Sequence, residues 1–157
     1  MAEPILITNQ ATIELQLEEI PPDWILAGAP IARRVKLATS PDWASSIVVW
    51  DCTPGRFNWH YMQDEAVFVI SGEAFMVSEN GEERRFGAGD IGFFPAGTKC
   101  SWRVSKDFRK VAFLREPMWR PIGFLFKVSK KALRALGVLG KSPLLFALLV
   151  SSLWTDR

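Results

Sequence analysis

The sequence predicts an all-β fold, a small antiparallel barrel or sandwich that fills the middle of a 157-residue chain. Three observations carry this. Short runs rich in β-branched and aromatic residues recur from Arg33 to Leu114, turns containing Gly or Pro separate them at even spacing, and long helical segments do not alternate with them. The length suits one domain, and a hydrophobic fraction of 48% is enough for a real core.

The elements follow in order. Residues 1–23 form an arm, in which Glu14, Glu18 and Glu19 precede Ile20 and a Pro21-Pro22 pair that ends any short helix. Trp24, Ile25 and Leu26 make an apolar patch before the turn Ala27-Gly28-Ala29-Pro30. Such an arm shields one face or edge of a sheet. Strands are expected over Arg33–Ala38, where charged and apolar residues alternate, and over Ser46–Asp51, with Thr53-Pro54-Gly55 as the turn that follows. Ala66–Ile70 reads as a strand buried on both faces, broken by Ser71-Gly72 and resumed over Glu73–Ser78. Asn80-Gly81 predicts a hairpin with positive φ angles of the primed type. Glu83–Phe86, Ile91–Phe94, Ser101–Val104 and Lys110–Leu114 complete the set, separated by Gly87-Ala88-Gly89-Asp90 and Pro95-Ala96-Gly97.

Charge is divided along the chain. Residues 1–119 hold 12 Lys/Arg against 16 Asp/Glu, whereas residues 120–157 hold 7 against 1. The two parts face different electrostatic partners. An acidic barrel, and a basic tail interleaved with long apolar side chains, argue against nucleic-acid binding. No Gly-rich phosphate cradle, Ser-His-Asp arrangement or CxxC pair is present. Cys52 and Cys100 make no disulfide framework, and Met1-Ala2-Glu3-Pro4 lacks the features of an export signal. A cytoplasmic location with free thiols is the expectation, although two barrel cysteines can also lie within bridging reach.

Gly55, Glu65 and Gly72 stand where the first cupin motif places its glycine, glutamate and closing glycine. Gly89-Asp90 and Phe94-Pro95-Ala96-Gly97 are similar to the second motif. The wording of Trp50–Trp59, with Phe93–Gly97, Trp102 and Arg109-Lys110, resembles the cupins grouped with (S)-ureidoglycine aminohydrolase. The resemblance covers roughly residues 24–115 and implies a double-stranded β-helix (cupin) barrel over 24–116 whose inward residues share one cavity. It also implies a homodimer, since cupins of this kind pair through their barrels.

Metal-binding cupins offer two histidines and a glutamate from the first motif and a third histidine from the second. In this chain Asn58 and His60 occupy the histidine positions in one register, and Trp59 and Tyr61 in the other. Strand alternation lets only one pair point inward. Cys100 replaces the third histidine in both. The first register leaves His60, Glu65 and Cys100 as candidate ligands for zinc, iron or manganese, with Glu65 and His60 as candidate catalytic groups. The second leaves only Glu65 and Cys100 with an aromatic wall, a poor metal site, and the missing imidazoles argue against tight metal binding in either. Each residue also has a plainer role. Glu65 can pair with an arginine such as Arg56, Cys100 and Trp102 can be core, and His60 can be a polar strand residue. As a cluster, Asn58, Trp59, Tyr61, Cys100 and Trp102 read as a ligand pocket.

Residues 117–157 leave the cupin pattern. After Pro117, Trp119 and Pro121, apolar residues Val128, Ala132, Ala135, Leu136 and Leu139 fall at helical spacing opposite Lys127, Lys130, Lys131, Arg134 and Lys141. Gly140 closes that helix, and Ser142-Pro143 opens a second, apolar one ending at Trp154. It is shorter than the roughly 20 apolar residues a spanning helix needs. Residues 121–154 therefore either pack on protein or make peripheral contact with an anionic inner-membrane surface. The functional expectation is a cupin that binds a small polar metabolite. The alternatives are a metal-dependent enzyme acting on a ureido-type compound, and a dimeric accessory protein docking through its tail.

Overall fold

The computed structural model describes residues 5–118, Leu125 and residues 127–131. The chain divides into two units, Met1–Pro117 and Met118–Arg157. The first unit is all-β, with nine strands: β1 (Gln16–Glu18), β2 (Ile25–Ala27), β3 (Ala32–Thr39), β4 (Ser45–Cys52), β5 (Gly55–His60), β6 (Asp64–Ser78), β7 (Glu83–Gly87), β8 (Ile91–Phe94) and β9 (Lys99–Arg115). Every strand pairing is antiparallel, in a curled sheet of order β1-β3-β4-β9-β5-β2, and β6 pairs with β7, β8 and β9. This is the cupin barrel.

Two long strands hold the barrel together. The C-terminal part of β9 (108–115) lies between β4 and the start of β6, whereas its N-terminal part (99–104) lies between β5 and the end of β6. The sequence suggests a break at Ser71-Gly72, and two separate strands over 101–104 and 110–114. Both pairs instead run through as single strands, bent where they cross. The register between β6 and β9 shifts on either side of Ser71 and Glu73. Gly72 has φ +87°, and a Cβ there would lie 2.0 Å from the Asp107 carbonyl oxygen. A glycine inside a strand thus bends it and admits the neighbouring backbone instead of ending it. Gly55, at the start of β5, serves a close approach of another kind: its Cβ would meet the Pro30 ring at 2.7 Å.

The hairpin at Asn80-Gly81 forms, but only Gly81 takes a positive φ, at 82°. Asn80 instead uses its side chain, whose Oδ1 accepts from the Glu82 N–H at 3.1 Å and from the Ser78 hydroxyl. That local side-chain bonding supplants the primed turn.

The N-terminal stretch is largely irregular and contributes two three-residue strands. β1 pairs with β3 at one end of the sheet order and β2 pairs with β5 at the other, so the arm covers two edges. Between them Pro22–Trp24 makes one 3₁₀ turn. Further back, the Arg109 guanidinium donates to the Gln10 carbonyl at 2.6 Å and lies beside Asp51, which Arg33 also holds at 2.9 Å.

Inside the barrel, Trp50, Phe57, Tyr61, Val67, Val69, Phe86, Phe94, Trp102 and Phe108 form one continuous buried cluster. Phe57 and Trp102 stack with ring centroids 6.4 Å apart, and Tyr61 stacks on Phe94 at 4.5 Å. The outer face of β6, β8 and β9 exposes Phe68, Ile91, Phe93 and Phe113.

The predicted tail helices fall mostly outside the described residues. Leu125 and residues 127–131 are helical, with Leu125, Lys127, Val128, Lys130 and Lys131 exposed. Among the described residues no helix is long and apolar enough to cross a membrane.

Candidate functional site

The cavity at the barrel mouth is built by alternation on three strands. On β4 the residues with even numbers, Val48 and Trp50, face it. On β9 the same face carries Lys110, Ala112 and Leu114, continuing the line of buried Phe108. On β5 and just past it, Phe57, Trp59 and Tyr61 turn to the core. The second of the two registers is therefore the one adopted. Asn58 points the other way, where its Oδ1 accepts from the Ser101 hydroxyl at 2.7 Å. His60 stands at the rim with its ring against Trp24, 4.4 Å between centroids.

At the inner end of this cavity Lys110 Nζ donates to Glu65 Oε1 at 2.6 Å. The two residues are 5% and 8% exposed, the most deeply placed ion pair of the barrel. The partner of Glu65 is this lysine and not an arginine such as Arg56, which lies exposed on β5. The ammonium also sits 5.0 Å from the centroid of Trp50 and 5.2 Å from that of Trp102. Two indole faces and a carboxylate together offset the cost of taking that charge out of water. Nearer the opening a second pair repeats the pattern. Arg34 binds Glu18 Oε1 at 2.8 Å, and Glu18 Oε2 accepts the Trp50 indole N–H at 2.8 Å. The arm strand β1 thus supplies one wall of the cavity.

Tyr61 is 2% exposed and accepts the Trp102 indole N–H at 3.2 Å. Burial raises its hydroxyl well above the ordinary 10.0, so it is a neutral phenol. Burial also pushes the Cys100 thiol up. Cys100 does not line the Lys110 cavity. It borders a separate outer hollow of about 640 Å³ with Phe86, Phe94 and Thr98. Trp102 is core, reaching the site only through Lys110 and Tyr61. Both cysteines are free, so no bridge forms between Cys52 and Cys100.

The donor set does not suit a metal. Glu65 is engaged by an ammonium, His60 stacks at the rim, and Cys100 borders another hollow. Among the described residues no three His, Cys, Asp or Glu side chains come together as ligands. The trio His60, Glu65 and Cys100 is therefore not assembled, because the register turns Trp59 and Tyr61 inward in place of Asn58 and His60.

Of the residues singled out in the sequence, Trp59, His60, Tyr61 and Glu65 share the cavity wall, while Asn58, Cys100 and Trp102 do not. Lys110, Arg34, Glu18 and Trp50 were missed as site residues. A signal for Lys110 exists in the sequence: it falls in the alternating row Phe108, Lys110, Ala112, Leu114, whose other members are apolar.

Fold and site define a cupin barrel whose cavity carries a fixed lysine–glutamate pair. Residues 39–112 are similar to the EutQ-like cupin domain. Among solved structures, the EutQ protein of Clostridium difficile is 21% identical, covering 58% of this chain and 72% of its own, with a TM-score of 0.51. A DUF861-family protein of unknown function from Pseudomonas syringae pv. tomato is 23% identical, covering 67% of this chain and 46% of its own, at a TM-score of 0.61. The polyketide cyclase RemF of Streptomyces resistomycificus is 15% identical, covering 71% and 80%, at a TM-score of 0.52. At these identities the likeness is one of fold. No curated protein matches the sequence significantly.

Proposed function

We propose that this cupin binds a small polar metabolite at the barrel mouth, against Lys110 and Glu65. The observation that carries the reading is a buried ion pair facing a cavity walled by Trp50, Trp59 and Tyr61. A charged pair inside a barrel costs more than a well-packed apolar pair of equal volume. Its presence in a cavity wall is accounted for when it orients a ligand, with the rings supplying contact area. The volume, about 190 Å³, lies below the roughly 300–1,000 Å³ usual for larger ligands, which selects a small molecule. The alternative of metal-assisted action on a ureido-type compound needs a ligand trio that the described residues do not supply.

The test is a ligand-observed NMR screen of small polar amides, acids, amines and sugars, with the indole resonances of Trp50 and Trp59 as the protein-side readout. Hits are expected to shift these indoles and to lose binding in Ala112→Phe, which fills the cavity. Should no compound move either indole, or should the hits bind the filled variant equally well, the proposal fails.

A further inference from the structure

Resting on that reading, we infer that the cavity selects uncharged ligands that present a hydrogen-bond donor and acceptor side by side, such as a carboxamide, and rejects free acids and free amines. The inference follows from how the wall charges are matched. Every Asp, Glu, Lys and Arg that lines the cavity already has its counter-ion: Lys110 with Glu65 at 2.6 Å, and Arg34 with Glu18 at 2.8 Å. Tyr61, held as a neutral phenol, adds no charge.

Lys110 and Glu65 each retain free capacity. An ammonium has three N–H donors, and Glu65 Oε1 is the one acceptor the described residues give it. Glu65 Oε2 accepts no hydrogen bond from the described residues, and Glu65 lines the cavity wall. An N–H of Lys110 and an oxygen of Glu65 thus stand next to each other as an unused donor and an unused acceptor. A carboxylate that approached Lys110 would meet the Glu65 carboxylate at nearly the same distance, and an amine approaching Glu65 would meet the ammonium. In either case attraction and repulsion largely cancel, while the cost of desolvating the ligand's charge remains. A neutral amide avoids that cost. Its N–H reaches Glu65 and its carbonyl accepts from Lys110, and both bonds are charge-assisted. Trp59, at the edge of the core, offers a ring for a flat ligand to lie against.

The experiment uses the full chain at pH 7 and one ring carrying three groups: nicotinamide, nicotinate and 3-(aminomethyl)pyridine, with propionamide, propionate and propylamine as a second set. The amide of each set is expected to shift the Trp59 indole resonance at about tenfold lower concentration than its charged partners, the difference one charge-assisted hydrogen bond makes. In Glu65→Gln the carboxylate is expected to gain on the amide, and in Lys110→Gln the amine, with thermal melting used to confirm that each variant is folded. The wild-type comparison stands alone if a variant is not. A charged member binding best, or all three binding alike, overturns the inference. If neither set binds while other compounds of the wider screen still occupy the cavity, this inference falls and the small-molecule reading stands. If nothing binds at all, both fall.

Discussion

Lys110 Nζ lies 2.6 Å from Glu65 Oε1, across the pairing of β9 with β6, with the rings of Trp50 and Trp102 about the ammonium at 5.0 and 5.2 Å. Where a metal-binding cupin would set its glutamate against a cation held by histidines, this barrel sets it against a cation covalently its own. The cation facing Glu65 is therefore part of the chain and cannot be removed by a chelator.

Removing one member of the pair leaves the other buried and uncompensated. Glu65→Gln and Lys110→Met are each expected to lower the unfolding free energy by about 3–5 kcal/mol. The double variant Glu65→Leu/Lys110→Met is expected to lose far less than the two single losses combined. Urea midpoints of the four proteins measure this; additive losses would show that the pair is not coupled.

Gly72 and Gly81 both have positive φ, but their surroundings differ. Gly81→Ala faces open space and carries only the backbone penalty of roughly 1–2 kcal/mol. Gly72→Ala must also displace the Asp107 carbonyl from 2.0 Å, so it is expected to destabilise considerably more or to prevent folding. Equal melting temperatures for the two variants would contradict the role given to Gly72 in bending β6.

Burial, with the neighbouring Asp51 charge second, pushes the Cys52 thiol from 9.0 up to about 12. The folded state therefore holds a proton that the unfolded chain releases above pH 9. This contribution to stability is full below that pH and declines as pH rises toward 12. The expected result is a fall in urea midpoint between pH 9 and 11 that is shallower in Cys52→Ala. Native protein at pH 8 should also leave both thiols unlabelled by a maleimide, with labelling appearing on denaturation. Rapid labelling of the native protein would mean that Cys52 and Cys100 are reached by solvent.

The basic and apolar sequence after residue 120 carries an expectation of its own. The full chain should pellet with anionic vesicles containing phosphatidylserine, and a chain ending at residue 118 should remain in the supernatant. Equal behaviour of the two proteins would remove membrane contact from the functions of the tail.

What the sequence determined by itself was the framework. Turn residues between apolar runs marked a barrel, and Gly55, Gly72 and Pro95 placed its corners, because such residues impose local backbone demands that do not depend on distant partners. Tertiary structure decided everything that turns on a single step of register. Whether Asn58 and His60 or Trp59 and Tyr61 faced the cavity depended on how β5 pairs with β9, where Trp59 lies opposite Cys100. One residue of slip would have exchanged the two sets, and nothing local distinguishes them. Lys110 was hidden for a related reason. A lysine opening a predicted strand reads as solvent-facing until a carboxylate from β6, 45 residues earlier, is found beside it. Continuity was also a tertiary matter, since Gly72 breaks a strand in isolation but bends one when Asp107 lies against it. Local chemistry therefore specified where the chain turns, and long-range pairing specified which side chains share the cavity.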